Sequence, residues 1–241
     1  MIAISTWAWI GTVGLAIATI PPLWFAVKNP RNRTYYAILA AITGIAAASY
    51  AAMALNIGTF DAPGDAIFYA PRYIDWLLTT PLLVLYLAML CKAGVRMYAT
   101  LITLDIILIA SGAAAVLTTG TLSWALFGVG SLAYLGLAYL LVKTVPQQTS
   151  FRSDRISMQF FKLRNITVVL WTLYPVVWVF SPAGFGWLTL NTEMMVVVYL
   201  DFITKVAFVA IAVNGRAALD DLNEIELTMN SDGVESALGA D

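Results

Sequence analysis

The sequence predicts an all-α integral membrane protein, a seven-transmembrane-helix bundle with its N-terminus outside and its C-terminus in the cytoplasm. Three observations carry that expectation. Of the 241 residues, 61% are hydrophobic and 11% are charged, whereas a water-soluble domain carries about 25% charged residues. Apolar runs of about 20 residues, long enough to cross a bilayer as helices, recur along the whole chain. The basic residues gather on alternate connections between those runs, which sets the orientation.

Seven runs are expected, at approximately 3–26, 34–56, 70–91, 97–118, 122–143, 157–180 and 190–215. The first is preceded by no charge, because Lys28 is the earliest one. It therefore lacks the positive region of a cleaved secretory signal and is expected to stay as a membrane helix. Breaks fall where turn residues and charges cluster: Lys28 to Arg33, Asn56 to Asp65, Lys92 to Arg96, Thr118 to Gly120, Val145 to Asp154, and Ser181 to Gly184. Proline and glycine inside several runs are compatible with membrane helices, since neighbouring helices re-satisfy the backbone.

Of the 13 Lys and Arg residues, Arg72 and Lys205 fall inside runs; the rest lie on the first, third and fifth connections, at their helix ends, or after the seventh run. The second, fourth and sixth connections have none. The segment 217–241 holds seven acidic residues and no basic one. It is expected to be a disordered cytoplasmic tail following a transmembrane domain at 1–216.

Composition also excludes. There is no histidine and one cysteine, Cys91, which removes the usual zinc, haem and disulfide frameworks, so no metal is expected. No basic stripe is available for nucleic acid. Chemistry is left one place, the bundle interior, and no enzyme is expected.

The interior polar groups are few. Arg72 and Asp75, three positions apart, share a helix face with Trp76, Thr79 and Leu83. Asp201 and Lys205 share another at i,i+4, with Phe208 continuing it. Trp171, Tyr174 and Trp178 form a third stripe. Were these faces to meet, two cations and two carboxylates would balance inside aromatic walls suited to an elongated unsaturated ligand or a cation. Spacing alone leaves competing readings open. The Asp201–Lys205 pair can be a structural neutralised pair, the aromatics bundle packing, and Asp105 a protonated acid bonded to a neighbouring hydroxyl.

Arg72-Tyr73-Ile74-Asp75-Trp76 with Thr79-Thr80-Pro81, then Trp171-Thr172-Leu173-Tyr174-Pro175 and Asp201-Phe202-Ile203-Thr204-Lys205, together resemble the archaeal microbial rhodopsins, nearest their sensory rhodopsin II and middle rhodopsin branch. The resemblance implies that Lys205 carries all-trans retinal as a covalent Schiff base. It makes Asp75 the primary counterion and proton acceptor, Asp201 the second carboxylate, and Arg72 the residue that balances both. The implied retinal pocket comprises Tyr73, Trp76, Thr79, Thr80, Leu83, Leu108, Phe127, Gly130, Ser131, Tyr134, Trp171, Tyr174, Trp178 and Thr204. Thr80 and Asp105 are implied to form a polar link between helices. Gly130, where pumps tend to have a hydroxyl, implies absorption in the blue-green.

Within that family the choice lies between signalling and transport. Pumps carry a carboxylate donor on the third helix beyond Thr-Thr-Pro; here that position is Tyr86. A phenol with a pKa near 10 reprotonates poorly at neutral pH. Of the two acids of the outer release site, Glu193 matches one and remains as a remnant, while the other position is Ala183. Thr204 and Tyr174 resemble the signalling pair of the sensory branch. Tyr199, about 240° around its helix from Lys205, points away from the pocket; with Thr189 it resembles the positions that contact a two-helix transducer, an ordinary interfacial tyrosine being the alternative. The sequence therefore favours a phototaxis photoreceptor in the cell membrane, with a light-driven outward proton pump as the alternative.

Overall fold

A computed structural model describes residues 3–149, 151, 153–222 and 224. Among them, seven helices are long and apolar enough to cross a membrane: α1 Ile4–Lys28, α2 Pro30–Ala54, α3 Ala70–Leu90, α4 Val95–Val116, α5 Gly120–Gln148, α6 Asp154–Phe180 and α7 Leu190–Asn214. Consecutive helices pack against each other through most of the chain, and α7 returns to α1, which closes the bundle. Large apolar side chains such as Ile17, Ile20, Trp24, Leu132 and Val169 point outward and are exposed. A bilayer satisfies that arrangement and water does not.

The connection between α2 and α3 is not the irregular break that the sequence suggests. Thr59–Asp61 (β1) and Ile67–Tyr69 (β2) form an antiparallel hairpin, with Thr59 opposite Tyr69. Its turn uses left-handed backbone at Gly64 and Asp65, residue types that tolerate positive φ. The strands are only three residues each, too short for their apolar alternation to stand out. We use "hairpin end" for this side of the bundle and "C-terminal end" for the other.

Four helices are locally irregular. In α3, Pro81 lacks the N–H that would serve the carbonyl four residues earlier. The flanking hydroxyls turn back onto the helix, Thr79 onto the Asp75 carbonyl at 2.9 Å and Thr80 onto that of Trp76 at 2.7 Å. In α6 the α-helix breaks at Thr172, between Trp171 and Leu173, just before Pro175. There the Val168 carbonyl accepts from the Thr172 hydroxyl at 2.9 Å and from the Tyr134 hydroxyl of α5 at 2.7 Å. In α7 a π-helical turn spans Ile203–Ala207, and such turns favour functional sites. A second π turn, Leu140–Thr144, precedes Pro146 in α5.

The C-terminal boundary differs from expectation. Residues 216–222 are helical, and Ala218, Leu219 and Leu222 are buried in the same apolar cluster as Ile156 and Phe160 of α6. Acidic composition hid this, because the three apolar residues at i, i+1 and i+4 make one narrow inward face. The folded body thus reaches past 216, and the rest of the expected tail lies outside the described residues apart from Glu224.

Candidate functional site

Pro71 sits in the first turn of α3, where its missing N–H costs nothing. From there Arg72, Asp75, Thr79 and Leu83 run inward, all buried. On α7, Asp201 and Lys205 point into the same volume, both almost fully buried. The Lys205 amine donates to Asp75 Oδ2, and Asp201 Oδ1 lies 3.9 Å away on the other side. Thr79 Oγ1 donates to Asp75 Oδ1 at 3.2 Å. Two faces 130 residues apart in sequence do meet, as expected.

Asp201 is the most heavily served acid among the described residues. It accepts from Tyr50 at 2.6 Å, from Tyr174 at 2.6 Å and from the Trp76 indole at 3.1 Å. Buried charge is tolerable only with such partners. Tyr50 reaches it from α2 because α1 presents Gly11 opposite its ring; a Cβ there would meet Tyr50 Cδ1 at 3.0 Å. Tyr174 also lies 3.3 Å from Thr204, so the expected pair exists, with Asp201 as the closer partner of the phenol.

Arg72 departs from its expected role. Its guanidinium pairs with Glu193 at 2.9 Å, contacts Met194 Sδ at 3.4 Å and stands over the Tyr69 ring at 4.9 Å. No ion pair joins it to Asp75 or Asp201 among the described residues. The reason is positional. Arg72 lies one turn nearer the hairpin end than Asp75, and Glu193 opens α7 at that same level. The interior group therefore contains two cations and three carboxylates, one negative charge in excess when all are ionised, and the neutral balance drawn from four residues does not hold.

A cavity opens beside Lys205, with about 1180 Å³ of empty space including its open mouth. Every expected pocket residue lines it except Thr79, which turns to Asp75 instead. Tyr73, Trp76, Thr80 and Leu83 come from α3, Leu108 from α4, and Phe127, Gly130, Ser131 and Tyr134 from α5. Trp171, Tyr174 and Trp178 come from α6, and Thr204 from α7. Ring packing orders the walls: Phe127 stacks on Trp178 at 4.3 Å, and Trp76 meets Tyr174 edge-on at 5.3 Å. Gly130 sits where α5 and α4 approach closely: a Cβ there would lie 2.8 Å from Ser111 Oγ and 3.2 Å from the Leu108 carbonyl oxygen of α4.

Behind this wall Thr80 donates to Asp105 at 2.8 Å, the interhelix link expected. Tyr199 is 59% exposed on the outer face of α7, and Thr189 is an exposed N-cap whose hydroxyl accepts from the Thr192 amide. Both are turned away from the cavity. Tyr86, by contrast, is fully buried toward the C-terminal end, edge-on to Tyr35 and Phe208, and its hydroxyl has no hydrogen-bond partner among the described residues.

Comparison with known proteins points the same way as this geometry. A family model described as "Bacteriorhodopsin-like protein" matches residues 2–219. The chain belongs to the bacteriorhodopsin-like family. It is similar to "Sensory rhodopsin-2" of Halobacterium salinarum, with 50% identity over 220 residues that make up 91% of this chain and 92% of that one. Its identity to "Sensory rhodopsin-2" of Natronomonas pharaonis is 39%, with the same coverage. Among solved structures, the thermophilic rhodopsin from Rubrobacter xylanophilus matches with a TM-score of 0.87 and 36% identity, covering 92% of this chain and 100% of that one. With its seven spans this is a multi-pass membrane protein.

Sequence reasoning missed some contributors to this bacteriorhodopsin-like site. Tyr50 carried one faint signal, a single large phenol in the alanine-rich run Ala46-Ala47-Ala48-Ser49-Tyr50-Ala51-Ala52. Ala66 and Ile67 of the hairpin, and Gly112 and Val116 of α4, also line the cavity, and nothing in their spacing distinguishes them from lipid-facing residues.

Proposed function

We propose that this chain is a retinal-binding photoreceptor of the cell membrane, serving phototaxis through a two-helix transmembrane transducer, with its N-terminus outside and its C-terminus cytoplasmic. One observation carries the reading: a buried lysine amine, hydrogen-bonded to Asp75, forms part of the wall of a cavity lined by aromatic side chains. The residues suit the family's chromophore. Lys205 would hold retinal, in the all-trans form, covalently through its amine, and Trp76, Trp171, Tyr174 and Trp178 would bracket an apolar polyene. Bound there, retinal supplies light absorption and photoisomerisation, and it makes the Lys205 nitrogen a cation whose proton affinity changes with light.

The chain's own residues do the rest. Asp75, which accepts from the Lys205 amine, would hold that nitrogen in its charged form and take the proton from it. Asp201, fixed by Tyr50, Trp76 and Tyr174, keeps the site polar. Proton transfer removes the attraction between Lys205 on α7 and Asp75 on α3. That releases a two-state element, α6 against α7, through the Tyr174–Thr204 contact, and Tyr199 and Thr189 offer the outward contact for a transducer. Tyr86 stands where the pumps of the family keep a carboxylate, so the proton returns slowly and the activated state lasts.

The alternative is an outward proton pump, favoured by the retained Asp75 and Glu193. Light-induced pH change in vesicles, measured after adding all-trans retinal, separates the two. A photoreceptor gives a transient proton signal without steady accumulation and co-purifies with a two-helix partner. Sustained acidification of the side facing the hairpin end would establish the pump instead.

A further inference from the structure

At the C-terminal end, away from the cavity, the first half of α6 is tied down by polar contacts that the proposed photochemistry does not use. Gln159, buried on α6, donates its side-chain amide to the Ile211 carbonyl of α7 at 2.8 Å. The same carbonyl accepts from the Gly215 amide at 2.9 Å. Glycine at 215 is what admits the glutamine: a Cβ there would overlap the Gln159 carboxamide. Gly215 has φ −86°, a conformation open to any residue, so space and not backbone freedom is the reason for it.

The chain then turns and lays 216–222 across the bundle. Ala218, Leu219 and Leu222 are buried against Ile156 and Phe160 of α6. Two adjacent aspartates pin this stretch to different helices. Asp220 accepts from the fully buried Asn32 in the opening turn of α2 at 3.0 Å. Asp221 pairs with Arg155 in the first turn of α6 at 3.1 Å. Arg216 adds a contact over the Phe25 ring of α1 at 5.7 Å. One side of the strap is thus anchored on α1 and α2, and the other holds α6.

We propose that residues 211–222 form a strap that holds the first half of α6 shut against α7, with the Gln159–Ile211 hydrogen bond as its buried clasp, so that opening of the C-terminal end requires the strap to let go. The proposal rests on the reading of α6 as the element that moves. The contributions are unequal. The Gln159 amide is enclosed, and its loss leaves a buried carbonyl with one donor fewer. Arg155 is largely exposed, with 68% of its side chain accessible, and such pairs contribute little.

Amide hydrogen exchange in the dark, on the full chain in membranes, tests the strap. Gln159→Ala and Gly215→Ala should each raise exchange across 156–166 by about three- to tenfold relative to the hairpin end. The double variant should show no more than the larger single effect, because both changes remove one and the same bond. Gln159→Met, which keeps the volume and lacks the donor, should match Gln159→Ala and so separates the bond from a packing defect. Arg155→Gln should change exchange by less than about twofold. Unchanged exchange in the Gln159 and Gly215 variants, or additive effects in the double, would overturn the proposal. Because exchange is read in the dark, a protein that forms no pigment would refute the photoreceptor reading alone. Normal light responses with unaltered exchange would sink the strap alone.

Discussion

Toward the hairpin end the bundle interior is charged and densely hydrogen-bonded; toward the C-terminal end it is mainly apolar, and two of its phenol hydroxyls make no hydrogen bond among the described residues. The first region holds Lys205, Asp75, Asp201, Arg72 and Glu193, with Tyr50, Tyr174, Trp76 and Thr79 donating to them. The second holds Leu83, Leu87, Phe160, Leu163 and Phe208; among the described residues its Tyr36 and Tyr86 hydroxyls are buried without a hydrogen bond, and the buried Asp105 is held by Thr80 at mid-bundle. The contrast is one of proton traffic. A proton leaving the Lys205 nitrogen finds an acceptor in contact on one side and no comparable donor on the other. That asymmetry suits a receptor, whose activated state must persist, and handicaps a pump, whose proton must be replaced.

The comparison can be broken most completely at Lys205. Lys205→Ala should form no visible pigment with retinal, and a coloured covalent adduct in that variant would remove the charged region's purpose. Next in size is an attempt to make the two halves alike. Tyr86→Asp places a carboxyl in the apolar half and should shorten the activated state roughly tenfold or more, given that positioned acids contribute about 10²–10⁴-fold; flash spectroscopy reads it directly, and an unchanged decay would show that the donor position is not what slows the cycle. Asp75→Asn should move the absorption band to longer wavelength. The ground-state cation loses an attraction on the order of 4 kcal/mol at about 4 Å and an effective dielectric near 20, and an unshifted spectrum would separate Asp75 from the chromophore.

Smaller effects sharpen the picture. Tyr50→Phe strips one donor from Asp201, and hydrogen bonds to charged groups contribute about 1.5–3 kcal/mol. Thermal bleaching should fall by several degrees, with pigment still formed; unchanged stability would mean that water replaces the phenol at no cost. Least affected is Cys91, at the C-terminal edge of α3. Burial pushes its thiol up to about 12, so at pH 8 it is a thiol and not the nucleophilic thiolate. Maleimide should label it only after unfolding, and rapid labelling of the native protein would show that end of the bundle to be open.

Much of this was readable in advance because membrane helices leave charge few places to go. Arg72, Asp75, Asp201 and Lys205 stand out in a chain with 11% charged residues, and helical periodicity groups them on faces. The same logic failed for Arg72's partner. Spacing gives the angle around a helix but not the level at which another helix arrives, and it is level that matches Arg72 to Glu193. Tyr50 escaped for a related reason. Its value depends on Gly11 across the α1–α2 interface, a pairing that no local pattern encodes.

By itself the sequence determined the number of spans, their approximate limits, the interior residues able to carry chemistry and the family motif on α3, α6 and α7. These follow from hydrophobic length and helical period, which act within one segment at a time. Tertiary structure alone decided which cation faces which carboxylate, that a short hairpin walls the cavity, and that an acidic stretch after 216 folds back as helix onto α6. Each of those depends on the relative height and approach of segments far apart in the chain, where buried polar groups are held by whatever donor comes within about 3 Å.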